Sequence, residues 1–176
     1  MNMDMANQRR NDGVNGAVIS TIEKELRENH HAFFQTVGFS MEPMLHQRKS
    51  TVVLKTPEDA AALSVGDVVL FHRADDRYVL HRIVRIKDKD GKPLYVIRGD
   101  NCTYDDLVRP EQILGVMEGF YEDERNVFTP SDDPKYLDYV KRIGKRSIWF
   151  LRIRRFPGRV LRKLYKIISK VKRVCG

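Results

Sequence analysis

Residues 78–100, YVLHRIVRIKDKDGKPLYVIRGD, carry the strongest fold signal in this 176-residue chain. Two runs rich in valine, isoleucine and leucine flank Asp90-Gly91, a dipeptide typical of two-residue hairpin turns. A hairpin closed there pairs residues whose numbers sum to about 181, to within a residue or two. His81 then lies opposite residues 99–101, so the sequence predicts that this histidine meets the segment RGDNCTYDD, residues 98–106.

Short segments of similar composition recur on both sides of this hairpin and are bounded by turn residues such as Val65-Gly66-Asp67. The predicted strands are residues 51–54, 67–71, 78–86, 94–97 and 113–120. Strands of this length and spacing indicate a mainly β fold, a small and mostly antiparallel barrel or sandwich. Before them, residues 17–34 place apolar side chains at helical spacing, which predicts an amphipathic N-terminal helix.

Composition divides the chain into four parts. Residues 1–16 are polar and are predicted to be disordered. Residues 17–121 form the β domain with its leading helix, and the acidic, proline-containing residues 122–134 read as a linker. Residues 135–176 form a basic tail with fifteen Lys or Arg residues and one acid, a net charge of +14. Because the whole chain carries +8, residues 1–134 carry −6, and the basicity belongs to the tail.

The tail predicts a helix with one apolar face and one cationic face. The apolar positions at helical spacing are Val160, Leu164, Ile167, Ile168, Val171 and Val174. Such a helix packs on its own domain or lies on an anionic membrane surface, and we expect peripheral membrane binding. Nucleic-acid binding is not expected, because a continuous apolar face would have no use there.

The sequence also bears on location. No apolar run approaches the roughly 18 residues that predict a membrane-spanning helix. The first residues, MNMDMANQRRNDG, lack the apolar core of a secretory signal. The expected location is therefore peripheral to a membrane or cytoplasmic, and no oligomeric state is predicted.

A candidate nucleophile, Ser40, lies in VGFSMEPML, residues 37–45, between Gly38 and Pro43. A hydroxyl attacks only when a neighbouring base removes its proton, and most serines in such strings simply shape turns. His81 is a candidate base, because an imidazole can accept a proton near neutral pH. Three acids in the segment opposite it could orient its ring: Asp100, Asp105 and Asp106.

His72 offers a second arrangement. The runs FHR and LHR flank a turn at Asp75-Asp76, which could bring His72 and His81 to one face of the sheet as a two-histidine metal site. No third ligand of characteristic spacing accompanies them, so no metal or other cofactor is expected. The two cysteines, Cys102 and Cys175, match neither a metal-ligand nor a redox spacing, and a disulfide framework is not expected.

Several of these motifs follow one another in a specific order: GxSMxP, a strand with HRIV, then GDN and an Asp-Asp pair. In that order they resemble the type I signal peptidase family of serine endopeptidases, and specifically its archaeal and endoplasmic-reticulum-type branch, which uses histidine where most bacterial members use lysine. The resemblance spans about residues 36–120. The matching positions are Gly38, Ser40-Met41-Glu42-Pro43, Gly66-Asp67-Val68-Val69, His81-Arg82-Ile83-Val84, Gly99-Asp100-Asn101, Asp105-Asp106 and Gly115.

The resemblance implies a signal-peptidase-type β barrel and a peptidase that removes a signal or leader segment from a peptide or preprotein. It implies that Ser40 is the nucleophile, His81 the base, and Asp106 the acid that orients the histidine. Asp100 would hold the loop and the triad in place, and Asp105 would be structural. The backbone N–H of Ser40 would face the developing oxyanion, with Met41 beside the site.

Two features depart from the family pattern. Family members generally have a membrane-spanning helix before the serine motif, whereas residues 17–34 are charged, and Phe39 is bulky where the family has a small residue. The alternative function is a non-cleaving or self-cleaving regulator with the fold of SOS-repressor autoproteases. The sequence has no helix-turn-helix before the domain and no clear self-cleavage linker, and histidine replaces the lysine base. A third possible class of protein is a non-catalytic binding module. The presence of Ser40, His81 and Asp106 together counts against it.

Overall fold

A computed structural model describes residues 16–73, 75, 77–122 and 127–144 of the chain. The predicted disordered N-terminus, apart from Gly16, lies outside these residues. The predicted amphipathic helix after Pro157-Gly158 and Cys175 also lie outside them. Within the described residues, no helix is long and apolar enough to cross a membrane.

The described residues form one antiparallel sheet of eight strands that curls into a half barrel, and two helices. The strands are β1 (His31–Gln35), β2 (Ser50–Lys55), β3 (Val68–His72), β4 (Tyr78–Lys89), β5 (Lys92–Arg98), β6 (Asp106–Val108), β7 (Ile113–Glu122) and β8 (Phe128–Pro130). Their order is β1-β2-β7-β3-β4-β5-β6, and β8 pairs with β7. The helices are α1 (Gly16–Asn29) and α2 (Pro134–Gly144), and a 3₁₀ turn, Pro110–Gln112, precedes β7. The prediction of a mainly β, antiparallel fold is confirmed.

The β4–β5 hairpin closes where the sequence predicts. Asp90 and Gly91 have φ angles of 58° and 74°, both positive as a two-residue hairpin turn with an Asp-Gly pair requires. Lys89 pairs with Lys92, and the register shifts by one residue between Ile83 and Arg85. After that shift Arg82 pairs with Arg98, which leaves His81 beside Gly99, as predicted.

The helix prediction is right as far as Asn29 and wrong for residues 31–34. His30, the residue after α1, has a φ of 59°, and its N–H donates to the Leu26 carbonyl at 3.1 Å. Residues His31–Gln35 then alternate between exposed and buried positions, and this strand period lets them pair with β2. A five-residue alternation directly after a helix is easily read as its last turn.

Three further elements carry little signal in the sequence. Strands β6 and β8 have three residues each, and they form because neighbouring strands supply hydrogen-bond partners. Strand β8 lies inside the stretch predicted to be a linker, and α2 starts at the end of that stretch.

Two apolar clusters cover the two faces of the sheet, and β3 has both faces buried. Val68 and Leu70 belong to the first cluster, while Val69 and Phe71 belong to the second. The first cluster also contains residues of α1, of α2 and of the connection between β1 and β2: Ile22, Leu26, Met41, Met44, Leu45 and Tyr136. This packing fixes the connection that contains Ser40 against the sheet.

Candidate active site

Ser40 lies in the connection between β1 and β2, residues 36–49. We call residues 36–46 of this connection the Ser40 loop. Gly38 has a φ of 95°, a backbone conformation that glycine adopts without steric cost. The Thr36 hydroxyl donates to the His46 carbonyl at 2.9 Å and closes the base of the loop. Ser40 itself is half-buried, so the loop is anchored while its serine stays accessible.

A small pocket lies beside Ser40. Apolar side chains supply most of its wall, among them Phe34, Met41, Leu45 and Leu80. Its volume is ≈ 20 Å³, which holds about one water molecule. A group that enters this pocket next to Ser40 must therefore be small.

His81 is fully buried on β4, with an exposed fraction of 0%. Its ring centroid is 6.4 Å from that of Phe71 and 6.4 Å from that of Tyr104. Within the part of the chain that the structure describes, neither ring nitrogen has a hydrogen-bond partner. Leaving a buried polar group unpaired costs free energy, and such groups often have a functional role.

Gly99 brings His81 and the Ser40 loop together. A Cβ atom on this residue would lie 2.7 Å from the Ser40 carbonyl oxygen, 2.8 Å from His81 Nε2 and 2.8 Å from Cys102 Sγ. Real Cβ atoms do not approach other atoms this closely. Only glycine therefore allows the backbone of Ser40 and the imidazole to converge here.

Asn101 fastens the same region. Its backbone N–H donates to the Ser40 carbonyl at 2.7 Å, and its side-chain amide donates to the Phe39 carbonyl at 3.1 Å. The segment after β5 thus holds the Ser40 loop by two hydrogen bonds. Asn101 belongs to the GDN motif, but the sequence alone did not indicate this role.

Asp106 is the acid that the structure places against the imidazole. Its Oδ2 lies 3.7 Å from His81 Nδ1, beyond hydrogen-bond distance. Its Oδ1 accepts from Arg73 Nε at 2.9 Å and Nη2 at 2.8 Å. Arg73 also lies over the Tyr104 ring, 5.4 Å from its centroid. Asp106 therefore faces both His81 and Arg73.

Arg73 was not identified from the sequence. Burial acts to lower the pKa of its guanidinium, but the charge and hydrogen bonds of Asp106, together with the Tyr104 and Asp75 side chains, outweigh burial and the pKa is raised. Arg73 follows β3 directly, within the run FHR, whereas Asp106 begins β6. Their contact depends on the pairing of β6, which the sequence does not predict.

The other two acids lie elsewhere. Asp100 accepts two hydrogen bonds from Arg82, both at 2.8 Å, on Oδ1 and Oδ2. Asp105 accepts a hydrogen bond from Arg98. Each of the three acids considered from the sequence pairs with an arginine, and of the three it is Asp106 that also lies beside the His81 ring.

Burial acts to lower the pKa of the Arg82 guanidinium. The hydrogen bonds and charge of Asp100, together with those of Tyr136, outweigh burial, and the pKa is raised. Arg82 therefore remains protonated inside the domain.

His72 does not share a face with His81. In the β3–β4 register His81 pairs with Val69, and His72 pairs with Tyr78. Because side chains alternate along a strand, positions 69 and 72 point to opposite faces. The shared face that a two-histidine metal site needs is absent. Among the described residues, no group of three or more His, Cys, Asp or Glu side chains could hold a metal ion.

In comparisons with known proteins, no family model matches the chain, and no curated protein matches it significantly. The site contains a half-buried hydroxyl on Ser40, a buried imidazole with unpaired nitrogens on His81, and a carboxylate on Asp106 that faces Nδ1. These are the groups that proton transfer from a serine requires.

We expect the substitution Gly99→Ala to displace the Ser40 loop. The added methyl would overlap the Ser40 carbonyl, and overpacking of this kind costs about 1–3 kcal/mol. Thermal unfolding should show a lower Tm, and hydrogen-exchange mass spectrometry should show faster exchange in residues 36–46. Gly144→Ala is the matched control, because a Cβ there meets nothing within 4 Å. Equal exchange in the two variants would contradict the close approach at Gly99.

The substitution Asp100→Ala should destabilise the domain strongly. The side chains of Arg82 and Asp100 are both 2% exposed, so the substitution leaves the Arg82 charge buried and unpaired. Breaking a buried ion pair in this way lowers the free energy of unfolding by about 3–5 kcal/mol. Urea unfolding measures the loss. Asp138→Ala removes one partner of the exposed pair with Arg142 and should cost less than about 1 kcal/mol. Similar losses in the two variants would show that Asp100 is not needed to hold Arg82.

Proposed function

We propose that this protein is a serine endopeptidase of the type I signal peptidase kind, which removes a signal or leader segment from a peptide by a Ser40-His81-Asp106 mechanism. The observation that supports this most directly is the fully buried His81, whose ring nitrogens are both unpaired. Asp106 lies on one side of this ring and the Ser40 loop on the other. A purely structural histidine at this depth would be expected to have a hydrogen-bond partner.

The reaction proceeds in two halves. As the Ser40 oxygen attacks the carbonyl carbon of the scissile peptide bond, its proton passes to His81 Nε2. The carbon–nitrogen bond breaks, and His81 gives that proton to the leaving amine. Water then attacks the acyl ester after losing a proton to His81, which returns the proton to the Ser40 oxygen. Asp106 stabilises the imidazolium in both halves, and the backbone N–H of Ser40 faces the oxyanion.

The surroundings of Ser40 support an apolar peptide substrate. The small pocket beside the serine accepts a small residue on the acyl side of the cleaved bond. Phe33, Val37 and Phe39 are 58%, 42% and 49% exposed, and all three precede the serine in the chain. Signal and leader segments combine small residues near the cut with an apolar stretch, which these surfaces fit. The curled antiparallel sheet agrees with a signal-peptidase-type barrel.

We also propose peripheral membrane binding, because the sequence of the tail, residues 135–176, combines basic and apolar residues at helical spacing. Its basic residues face anionic headgroups and its apolar residues enter the interface, with each Lys or Arg near the surface adding about 1 kcal/mol. Attachment of this kind would bring the peptidase to substrates that are themselves membrane-bound, and it needs no spanning helix.

A synthetic peptide library tests the peptidase activity. We expect the protein to cleave library peptides after small residues, with the products identified by mass spectrometry. Ser40→Ala and His81→Ala should each lower the cleavage rate by roughly 10³-fold or more, because the members of such a triad act as a unit.

Ser64→Ala is the matched control for this assay. Ser64 is exposed and lies outside the site, so this variant should retain the parent rate. Cleavage by Ser40→Ala at the parent rate would rule out Ser40 as the nucleophile. Cleavage of the chain itself with no library peptide cut would favour the self-cleaving regulator instead.

Co-sedimentation with liposomes tests membrane binding. The full chain should pellet with anionic vesicles and much less with neutral ones, and added salt should weaken the binding because it screens charge. A variant that ends at residue 144 should remain in the supernatant. Equal pelleting of the full and shortened chains would overturn the membrane role of the tail.

A further inference from the structure

Helix α2 presents two tyrosines to the domain. Tyr136 is 7% exposed and belongs to the first apolar cluster, and Tyr139 packs against the same cluster. The helix start is fixed by Asp133, whose Oδ1 accepts from the backbone N–H groups of Lys135 at 2.8 Å and Tyr136 at 3.1 Å. This capping arrangement satisfies N–H groups that a helix start leaves unpaired. The position of the two tyrosines is therefore well defined.

Both tyrosine hydroxyls reach the buried pair of Arg82 and Asp100. The Tyr139 hydroxyl donates to Asp100 Oδ2 at 2.9 Å, and Arg82 Nη1 donates to the Tyr136 hydroxyl at 2.9 Å. The guanidinium carbon of Arg82 also lies 5.6 Å and 5.7 Å from the two ring centroids, within the range of cation–π attraction. Helix α2 thus completes the polar surroundings of both charges.

The same ion pair is linked to the Ser40 loop in two ways, by one direct contact and through the residue that follows Asp100. Arg82 Nη2 lies 3.1 Å from the sulfur of Met44, a buried residue of that loop. Asp100 is followed directly by Asn101, which donates to the carbonyls of Ser40 and Phe39. The residue that holds Arg82 is therefore the chain neighbour of the residue that holds the Ser40 backbone.

We infer that Tyr139 and Tyr136 are positioning residues, which act through Asp100 and Arg82 to set the geometry of the Ser40 loop. This inference rests on the proposed peptidase function for its effect on rate. Neither tyrosine touches the reacting groups. The hydroxyl of Tyr139 holds the Asp100 carboxylate, the carboxylate holds Arg82, and Asn101 holds the Ser40 backbone beside Gly99, next to His81.

The test compares full-length Tyr139→Phe and Tyr136→Phe with Tyr95→Phe. Each substitution removes one hydroxyl and keeps the ring. The Tyr95 hydroxyl donates to the Ala60 carbonyl at 2.7 Å and accepts from the Leu63 N–H at 3.3 Å, away from the Ser40 loop. The control therefore loses hydrogen bonds of its own without involving Asp100.

Three quantities are measured for each variant: the Tm, the hydrogen exchange of residues 36–46 and 99–102, and kcat and KM for a peptide selected from the library. In Tyr139→Phe we expect faster exchange in both segments and a kcat lower by roughly tenfold at nearly unchanged KM, since tenfold corresponds to one lost hydrogen bond to a charged group. Tyr136→Phe should show a smaller change in the same direction. Tyr95→Phe should lower the Tm and leave exchange in these segments and kcat at parent values.

Two outcomes would overturn the inference. One is unchanged exchange in the Ser40 loop of Tyr139→Phe, and the other is a fall in kcat that Tyr95→Phe reproduces at equal Tm. If the parent protein cleaves no library peptide, the peptidase proposal fails. The exchange comparison then still decides whether the tyrosines position the Ser40 loop.

Discussion

The buried ion pair between Arg82 and Asp100 is the interaction on which the site depends. Both side chains are 2% exposed, and taking two charges out of water costs several kcal/mol per ion. Two N–H···O bonds at 2.8 Å and the Tyr139 hydroxyl offset that cost. The partners come from β4, from the segment after β5 and from α2, so these three elements must all be in place before the pair is stable. The ion pair thus links the folding of the domain to the placement of the segment that holds Ser40.

The two faces of strand β4 carry residues with different roles. Consecutive residues of a strand point to opposite sides, so Arg82 faces α2 and Met44 of the Ser40 loop, while His81 faces Phe71 and Asp106. His81 approaches the Ser40 backbone at Gly99, beside the strand. The structural charge and the candidate base therefore do not compete for the same partners. Asp100 and Asp106 are separated in the same way, since one neutralises Arg82 and the other faces the imidazole.

Local chemistry explains what the sequence predicts well. The Asp-Gly turn and alternating apolar residues determine the β4–β5 hairpin, and the hairpin determines that His81 meets Gly99. Residues 99–105 lie outside the ladder, between β5 and β6, so strand register could not tell which acid meets the histidine. Arg73 and Tyr139 contact carboxylates that lie 33 and 39 residues away in the chain. Strand β1 forms only by pairing with β2. Such contacts depend on the assembled sheet, and no short-range pattern encodes them.

Arg73 has a defined consequence for the candidate triad. Its two N–H groups hold Oδ1 of Asp106, and the other oxygen, Oδ2, lies 3.7 Å from His81 Nδ1. The positive charge of Arg73 repels an imidazolium, whereas the Asp106 charge attracts it. Proton transfer from Ser40 would therefore favour a shorter Oδ2–Nδ1 distance, because closer approach increases the attraction while Arg73 stays bound to the other oxygen. Catalytic hydrogen bonds are often long in unliganded sites and tighten when substrate binds, and a carboxylate held at one oxygen can make that adjustment by a small rotation.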